Sequence, residues 1–175
     1  MKRSTVGYGL IVTACCAVGI WFGLQQQTTT GAEQRDTRLL FAQTMPDLND
    51  QPQALSQWRG KLLLVNFWAT WCAPCVQEMP ELSALQQQRA STLQVVGIGI
   101  DSPSAMRDFV KKLPVSYPVL VGGMAATDLT RALGDTVGGL PFTVLIDARG
   151  RIVQRYRGRL AINMLRSDIA SISPQ

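Results

Sequence analysis

Two cysteines spaced by two residues lie in this chain at the seam between an apolar run and a helical pattern. That seam constrains the fold more than any other feature. Residues 62–65 (LLLV) are continuously apolar and are followed by Asn66, Phe67 and Trp68. A short run of this kind suits a central strand covered on both faces. Ala69, Thr70 and Trp71 then lead to Cys72-Ala73-Pro74-Cys75, after which Val76, Met79, Leu82 and Leu85 recur at helical spacing. The C-x-x-C therefore stands where a strand gives way to a helix N-terminus.

That placement carries a chemistry. The thiolate is the nucleophile in disulfide exchange, and a free thiol with a pKa of about 8.5 supplies little of it at neutral pH. Unpaired N–H groups and the positive end of a helix stabilise charge on the first sulfur. The second cysteine, one turn on, is close enough to close a bridge. Cys72 is thus the candidate attacking thiol and Cys75 the candidate resolving thiol. Pro74 removes a donor and stiffens the turn. A C-x-x-C can also be half of a zinc site, but such a site needs four ligands. The other cysteines are Cys15 and Cys16, in an apolar N-terminal segment, and the chain has no His. The redox reading is preferred, with no metal and no cofactor beyond the Cys72–Cys75 pair.

The 175 residues leave room for one ordinary domain plus a targeting segment. Residues 6–24 hold no charge across nineteen positions. As a helix they would span about 28 Å, against a hydrocarbon core of about 30 Å. Lys2 and Arg3 on the N-terminal flank place that end in the cytoplasm and the domain outside. Two alternatives remain open: a lipoprotein signal, since Val12-Thr13-Ala14-Cys15 resembles a lipobox, and a cleaved secretory signal. The expected organisation is an anchor over 1–24, a polar flexible linker over 25–38 and a folded domain over 39–175. Without Lys2 and Arg3, the 17 basic residues fall to 15 against 12 acidic, a balance that asks for no nucleic acid.

Within the domain, strands are expected near residues 39–44 and 53–55, with turn chemistry from Pro46 to Gln51. Ser56 is a candidate cap for a short helical turn ending at Gly60. The helix from Cys72 runs to about Ala90 with a kink at Pro80. Residues 93–100 read as a buried strand, and Asp101 or Ser102 caps a second helix. An extended piece over 117–121 and a helical turn over 127–133 follow. Residues 140–147 and 151–157 form a hairpin about the Asp147–Gly150 turn, and Ile162, Leu165, Ile169 and Ile172 stripe a last helix. The order describes an α/β fold with one sheet between helices.

The stretch from Val65 to Cys75, VNFWATWCAPC, with Glu78 and Pro80 behind it, resembles the active-site segment of membrane-anchored thioredoxin-like proteins of the TlpA/ResA type. The resemblance implies a thioredoxin-like fold: a central mixed β-sheet flanked by helices, an N-terminal strand pair and a small central insertion. It implies an extracytoplasmic thiol-disulfide oxidoreductase that reduces protein disulfides. Its clients would be secreted or membrane-associated proteins, with apocytochrome c or copper-site proteins as candidates. A membrane thiol reductase would supply electrons. The domain would face the periplasm or the extracytoplasmic side of a single-pass anchor in the inner membrane. Glu78 would exchange a proton with Cys75, a duty that Asn66, standing where classical thioredoxins have Asp, cannot perform. Pro141 would be the cis-proline beside the dithiol, Leu140 would offer backbone to substrate, and Trp71 would form an apolar contact surface. Phe142 departs from the small or polar residue usual there and bears on the groove's shape. A Cu(I)-handling protein and a dithiol oxidase are the alternative readings. The six arginines from Arg149 to Arg166 are read as a solvated edge strand, with a docking patch for an acidic partner or anionic lipid head groups as the alternative.

Overall fold

The computed structural model describes residues 37–172. The chain enters as a turn of helix over 37–41, followed by a small antiparallel pair, β1 (Thr44–Pro46) and β2 (Pro52–Ala54). Of the strand expected over 39–44, residues 39–41 are therefore helix and only Thr44 belongs to β1. Leu39, Leu40 and Phe41 are three successive apolar residues, and so short a run fits a strand or a helical turn equally well. Helical winding lets Leu40 and Phe41 both reach the core. Thr37, assigned to the linker by its polarity, is buried and donates from Oγ1 to Gly150 O at 2.6 Å. A 3-10 helix (Leu55–Trp58) follows, starting at Ala54 with no side-chain cap, so Ser56 lies inside it rather than capping it.

The main sheet comprises β3 (Leu62–Trp68), β4 (Leu93–Gly99), β5 (Val119–Val121), β6 (Phe142–Ile146) and β7 (Ile152–Arg157), in the spatial order β5-β4-β3-β6-β7. β4 runs parallel to both β3 and β5, whereas β6 is antiparallel to both β3 and β7. β3 is central and buried along its whole length, as its apolar run requires. Its alternate residues serve two cores. Leu63, Val65 and Phe67 pack with Leu40, Leu55, Trp58 and Leu129 on one face. Leu62, Leu64 and Trp68 pack with the helices of the other.

Four helices complete the domain: α1 (Ala73–Gln88), α2 (Pro103–Lys112), α3 (Ala126–Ala132) and α4 (Ile162–Ile172). α1 and α4 contribute Met79, Leu82, Leu85, Leu165 and Ile169 to the second core, and α2 adds Met106. α3 covers the opposite face through Ala126 and Leu129. This is the thioredoxin-like sandwich, and α2, β5 and α3 fill the region between β4 and β6. α1 continues past Pro80 to Gln88, two residues short of the expected end. Ser102, not Asp101, caps α2 by accepting from Ala105 N at 3.3 Å. Among the described residues no helix is long and apolar enough to cross a membrane. The charge-free run over 6–24 and most of the linker lie outside those residues.

Candidate active site

β3 ends at Trp68 and α1 begins at Ala73, so the turn between them delivers Cys72 to the N-cap position of α1. Cys72 keeps an extended backbone while its carbonyl already accepts from Val76 N at 3.1 Å. Its sulfur therefore sits at the end of the helix where N–H groups are unpaired and the dipole is positive. Cys72 and Cys75 form a disulfide with an S–S distance of 2.06 Å and a Cα–Cα distance of 5.3 Å. Cys72 is 5% exposed and Cys75 wholly buried, so an incoming thiol or disulfide meets Cys72 first.

Glu78 lies one turn beyond Cys75 and is also wholly buried. Its carboxylate is held from two directions. Asn66 Nδ2, on β3, donates to Oε1 at 2.7 Å, and Leu160 N, in the loop before α4, donates to Oε2 at 2.9 Å. Asn66 Nδ2 also reaches Thr143 Oγ1 on β6 at 2.9 Å. Burial pushes the Glu78 carboxyl above its ordinary value; the bonds from Leu160 and Asn66 and the charge of Arg159 pull it partly back, and Glu81 adds a smaller push upward. A carboxyl raised in this way is poised to take and return protons nearer neutrality.

Opposite the dithiol lies the loop that enters β6. Its Leu140–Pro141 bond is cis, as the resemblance implies. Pro141 O accepts from Gly158 N at 2.9 Å, and Leu140 packs against both cores, including the one holding Cys72 and Cys75. Asp135 shapes this loop by accepting from Val137 N at 3.2 Å and Gly138 N at 3.0 Å, an Asx-type turn. Gly138 then adopts φ +75°, where a side chain would be strained. β6 pairs with β3 only from Phe142 onward, leaving the Leu140 main chain outside the ladder. Phe142 itself is fully buried, with its ring 6.0 Å from that of Phe67, so it fills the core and does not shape the groove. Two large apolar side chains on the segments flanking this region are exposed: Trp71, 70% exposed, just before Cys72, and Val137, 78% exposed, in the loop before Pro141. Val137 carries no sequence signal of its own.

Asp101 is a second residue that the sequence did not single out for the site. Its Oδ2 accepts from both Thr70 N and Thr70 Oγ1, tying the turn before the dithiol to the end of β4. Burial alone would raise the Asp101 carboxyl, but the bonds from Thr70 and Ser102 hold it below its ordinary value. The arginine cluster lies on and around the edge strand β7 and is largely engaged within the domain. Arg155 Nε donates to Leu133 O, Arg157 Nη2 to Gly134 O, and Arg166 Nη2 to Gln88 Oε1. Among the described residues no cluster of His, Cys, Asp and Glu is arranged to hold a metal ion.

A family model described as Redoxin matches residues 33–169. Similar proteins include the thiol-disulfide oxidoreductase ResA of Bacillus anthracis, 30% identical over 99% of this chain and 100% of that protein. The ResA of Bacillus subtilis is 25% identical over 99% of this chain and 95% of its own. Among solved structures, a thioredoxin-related protein from Neisseria meningitidis serogroup B superposes with a TM-score of 0.65 at 32% identity, covering 73% of this chain and 97% of that one. A putative thiol:disulfide interchange protein DsbE from Chlorobium tepidum gives a TM-score of 0.67 at 25% identity, over 74% of this chain and 92% of that one.

Proposed function

Because this chain belongs to the Redoxin family and is a thiol-disulfide oxidoreductase with a C-x-x-C pair, we propose that it reduces protein disulfides, Cys72 attacking and Cys75 resolving. The difference in depth between the two sulfurs supports this assignment most directly. The Cys72 thiolate attacks one substrate sulfur, forming a mixed disulfide and releasing the other as a thiolate. Cys75 gives its proton to Glu78 and attacks Cys72 Sγ, which releases the second substrate thiolate and leaves the Cys72–Cys75 disulfide. Two electrons pass to the substrate, and a dithiol donor must return them. A membrane thiol reductase fits that need. The dithiol itself is the whole redox group on this reading. Trp71, Val137 and Leu140 form the apolar seat for substrate, and the unpaired Leu140 main chain accepts an extended segment as an added strand.

The direction follows from what lies near Cys72. The helix terminus is its main source of positive potential, because Ala73 and Pro74 bring no cation. A thiolate stabilised only this far gives a potential nearer that of thioredoxin, about −270 mV, than that of a strong oxidase, about −120 mV. Equilibration with glutathione measures it. A value above about −180 mV would make the protein an oxidant in an oxidising compartment.

The site of action proposed is the extracytoplasmic face of the inner membrane, from the charge-free run over 6–24 behind Lys2 and Arg3. Intact-mass analysis of the membrane fraction should find the unprocessed N-terminus. A lipid-modified chain beginning at Cys15, or a soluble chain starting after Leu24, would contradict the anchor. The leading client is an apocytochrome c disulfide, with copper-site proteins next; normal haem-stained c-type cytochromes in a deletion strain would remove the first.

A further inference from the structure

Basic residues crowd one end of the domain, and the reaction described above does not use them. That end lies opposite the dithiol. β3 runs from Leu62, next to Lys61, to Trp68, which leads to Cys72, so about 20 Å of strand separates the two ends. Leu93 pairs with Leu62 and Ile146 with Leu63, which brings the loop before β4 and the β6–β7 turn to the same pole as Lys61. A cleft of about 690 Å³ opens there, with Lys61, Arg149, Arg151, Ser91, Thr92 and Ser171 in its lining. Arg59 and Arg38 belong to the same surface. The Arg59 guanidinium lies 4.5 Å from the centre of the Phe41 ring, and that ring comes within 3.8 Å of a Cβ built on Gly150. Arg38 follows Thr37, whose hydroxyl donates to Gly150 O. Arg89 directly precedes the 90–94 stretch of the cleft wall.

Charge is spread unevenly between the two ends. The segments that form the pole carry Arg38, Arg59, Lys61, Arg89, Arg149 and Arg151 with one acid, Asp147, which Arg151 engages. The rest of residues 37–172 holds eight basic residues and nine acidic ones. The net positive charge of the described residues is therefore concentrated at the pole. The Lys61 and Arg149 side chains are exposed and make no ion pair among those residues. The chain that follows the charge-free run over 6–24 also joins the domain here, since Thr37 is bonded to the β6–β7 turn. Residues 25–36 span at most about 43 Å at full extension, so with that run as an anchor the pole stays close to the membrane. We infer that this pole is a lipid-docking surface, which lies on anionic headgroups and holds the dithiol end facing away from the bilayer. Its guanidinium and ammonium groups suit lipid phosphates, and the hydroxyls of Ser91, Thr92 and Ser171 add neutral donors. The attraction itself rests on charge alone, while its tethered form rests on the anchor proposed above.

The test uses the full-length protein in lipid nanodiscs of phosphatidylcholine, alone or mixed with phosphatidylglycerol. A water-soluble acylating ester labels the lysines at low ionic strength. Mass spectrometry reads the rate at Lys61 against Lys111 and Lys112 of α2, which belong to none of the segments at the pole. Lys61 should be slowed severalfold in the anionic discs only. Salt that shortens the screening length from about 30 Å to about 3 Å should restore its rate. Each basic residue near an anionic surface strengthens adsorption about fivefold, so Arg59→Gln combined with Arg149→Gln should weaken docking about 25-fold and release Lys61. The double variant, checked for folding by thermal unfolding, should reduce a disulfide substrate in solution at the wild-type rate. Equal labelling of Lys61 in neutral and anionic discs, or equal slowing of all three lysines, would overturn the docking. Protection by soluble polyglutamate but not by anionic discs would give the pole to an acidic protein segment and overturn the lipid. A chain that fails to co-elute with neutral discs would overturn the anchor instead, and the labelling of Lys61 in anionic discs would still decide the docking.

Discussion

Glu78 differs in kind from the other carboxylates whose protonation the fold perturbs. Asp47, Asp101 and Asp147 are held below their ordinary values by hydrogen bonds, although burial works against the bonds in each. Glu78 also receives two such bonds, yet burial outweighs them and its carboxyl rises. Above that raised pKa the group is a carboxylate able to accept the Cys75 proton, and below it a neutral acid able to return one. Resolution by Cys75 should therefore quicken as pH rises through a limb above 4.5, the ordinary value for this group. Glu78→Gln should lose that limb and slow resolution at neutral pH on the order of 10²-fold, the low end for a positioned base. Stopped-flow fluorescence of Trp71 during oxidation reads this rate, and an unchanged profile would return Glu78 to a structural role. The sequence made the residue legible through its place after the C-x-x-C. Its holders were not legible, because Asn66 lies 12 positions away and Leu160 lies 82 away, and no local pattern joins them.

At the scale of elements, local chemistry was read well where one signal dominates. The β6–β7 hairpin follows from Asp147 and Gly150, and the structure adds why Asp147 matters. Its Oδ1 accepts from Arg149 N and Arg151 N, each at 2.9 Å, while Oδ2 accepts from Arg151 Nε at 2.9 Å and Nη2 at 2.7 Å. Asp147→Ala should cost about 1.5–3 kcal/mol in urea unfolding at neutral pH, the range for hydrogen bonds to a charged group. Since the folded pKa lies below the unfolded one, that contribution is complete above the ordinary value of 3.8 and fades as pH falls through the folded value. The difference between wild type and variant should therefore shrink in acid; a constant difference would contradict the linkage. Elements went wrong where two patterns compete. Leu39 to Phe41 are apolar enough for a strand, but burial against Trp58 and Leu55 favours a helical turn. Asp101 has the composition of a cap and the position of a clamp, and only the end of β4 beside Thr70 decides between them. Phe142 looks like groove lining because it follows Pro141, yet the period of two in β6 turns it inward toward Phe67.

At the scale of the whole molecule, the sheet brings one chemistry together from distant segments. β3 carries Asn66 and leads to the dithiol, Asp101 follows just beyond the end of β4, β6 begins after Pro141, and the loop behind β7 supplies Leu160. The central position of β3 makes this convergence unavoidable once the strand order is set, which is why the seam between the 62–68 run and the C-x-x-C helix foretold the architecture. Depth at this site then separates the cysteines, with Cys72 partly open to solvent and Cys75 wholly buried on the same helix as Glu78. The most direct test is trapping of client proteins as mixed disulfides in membranes, resolved by non-reducing electrophoresis. Cys75→Ser should accumulate adducts that dissolve on reduction, because the attacking sulfur remains and the resolving one is gone, while Cys72→Ser should accumulate none. Equal trapping by the two variants, or trapping by Cys72→Ser alone, would contradict the account.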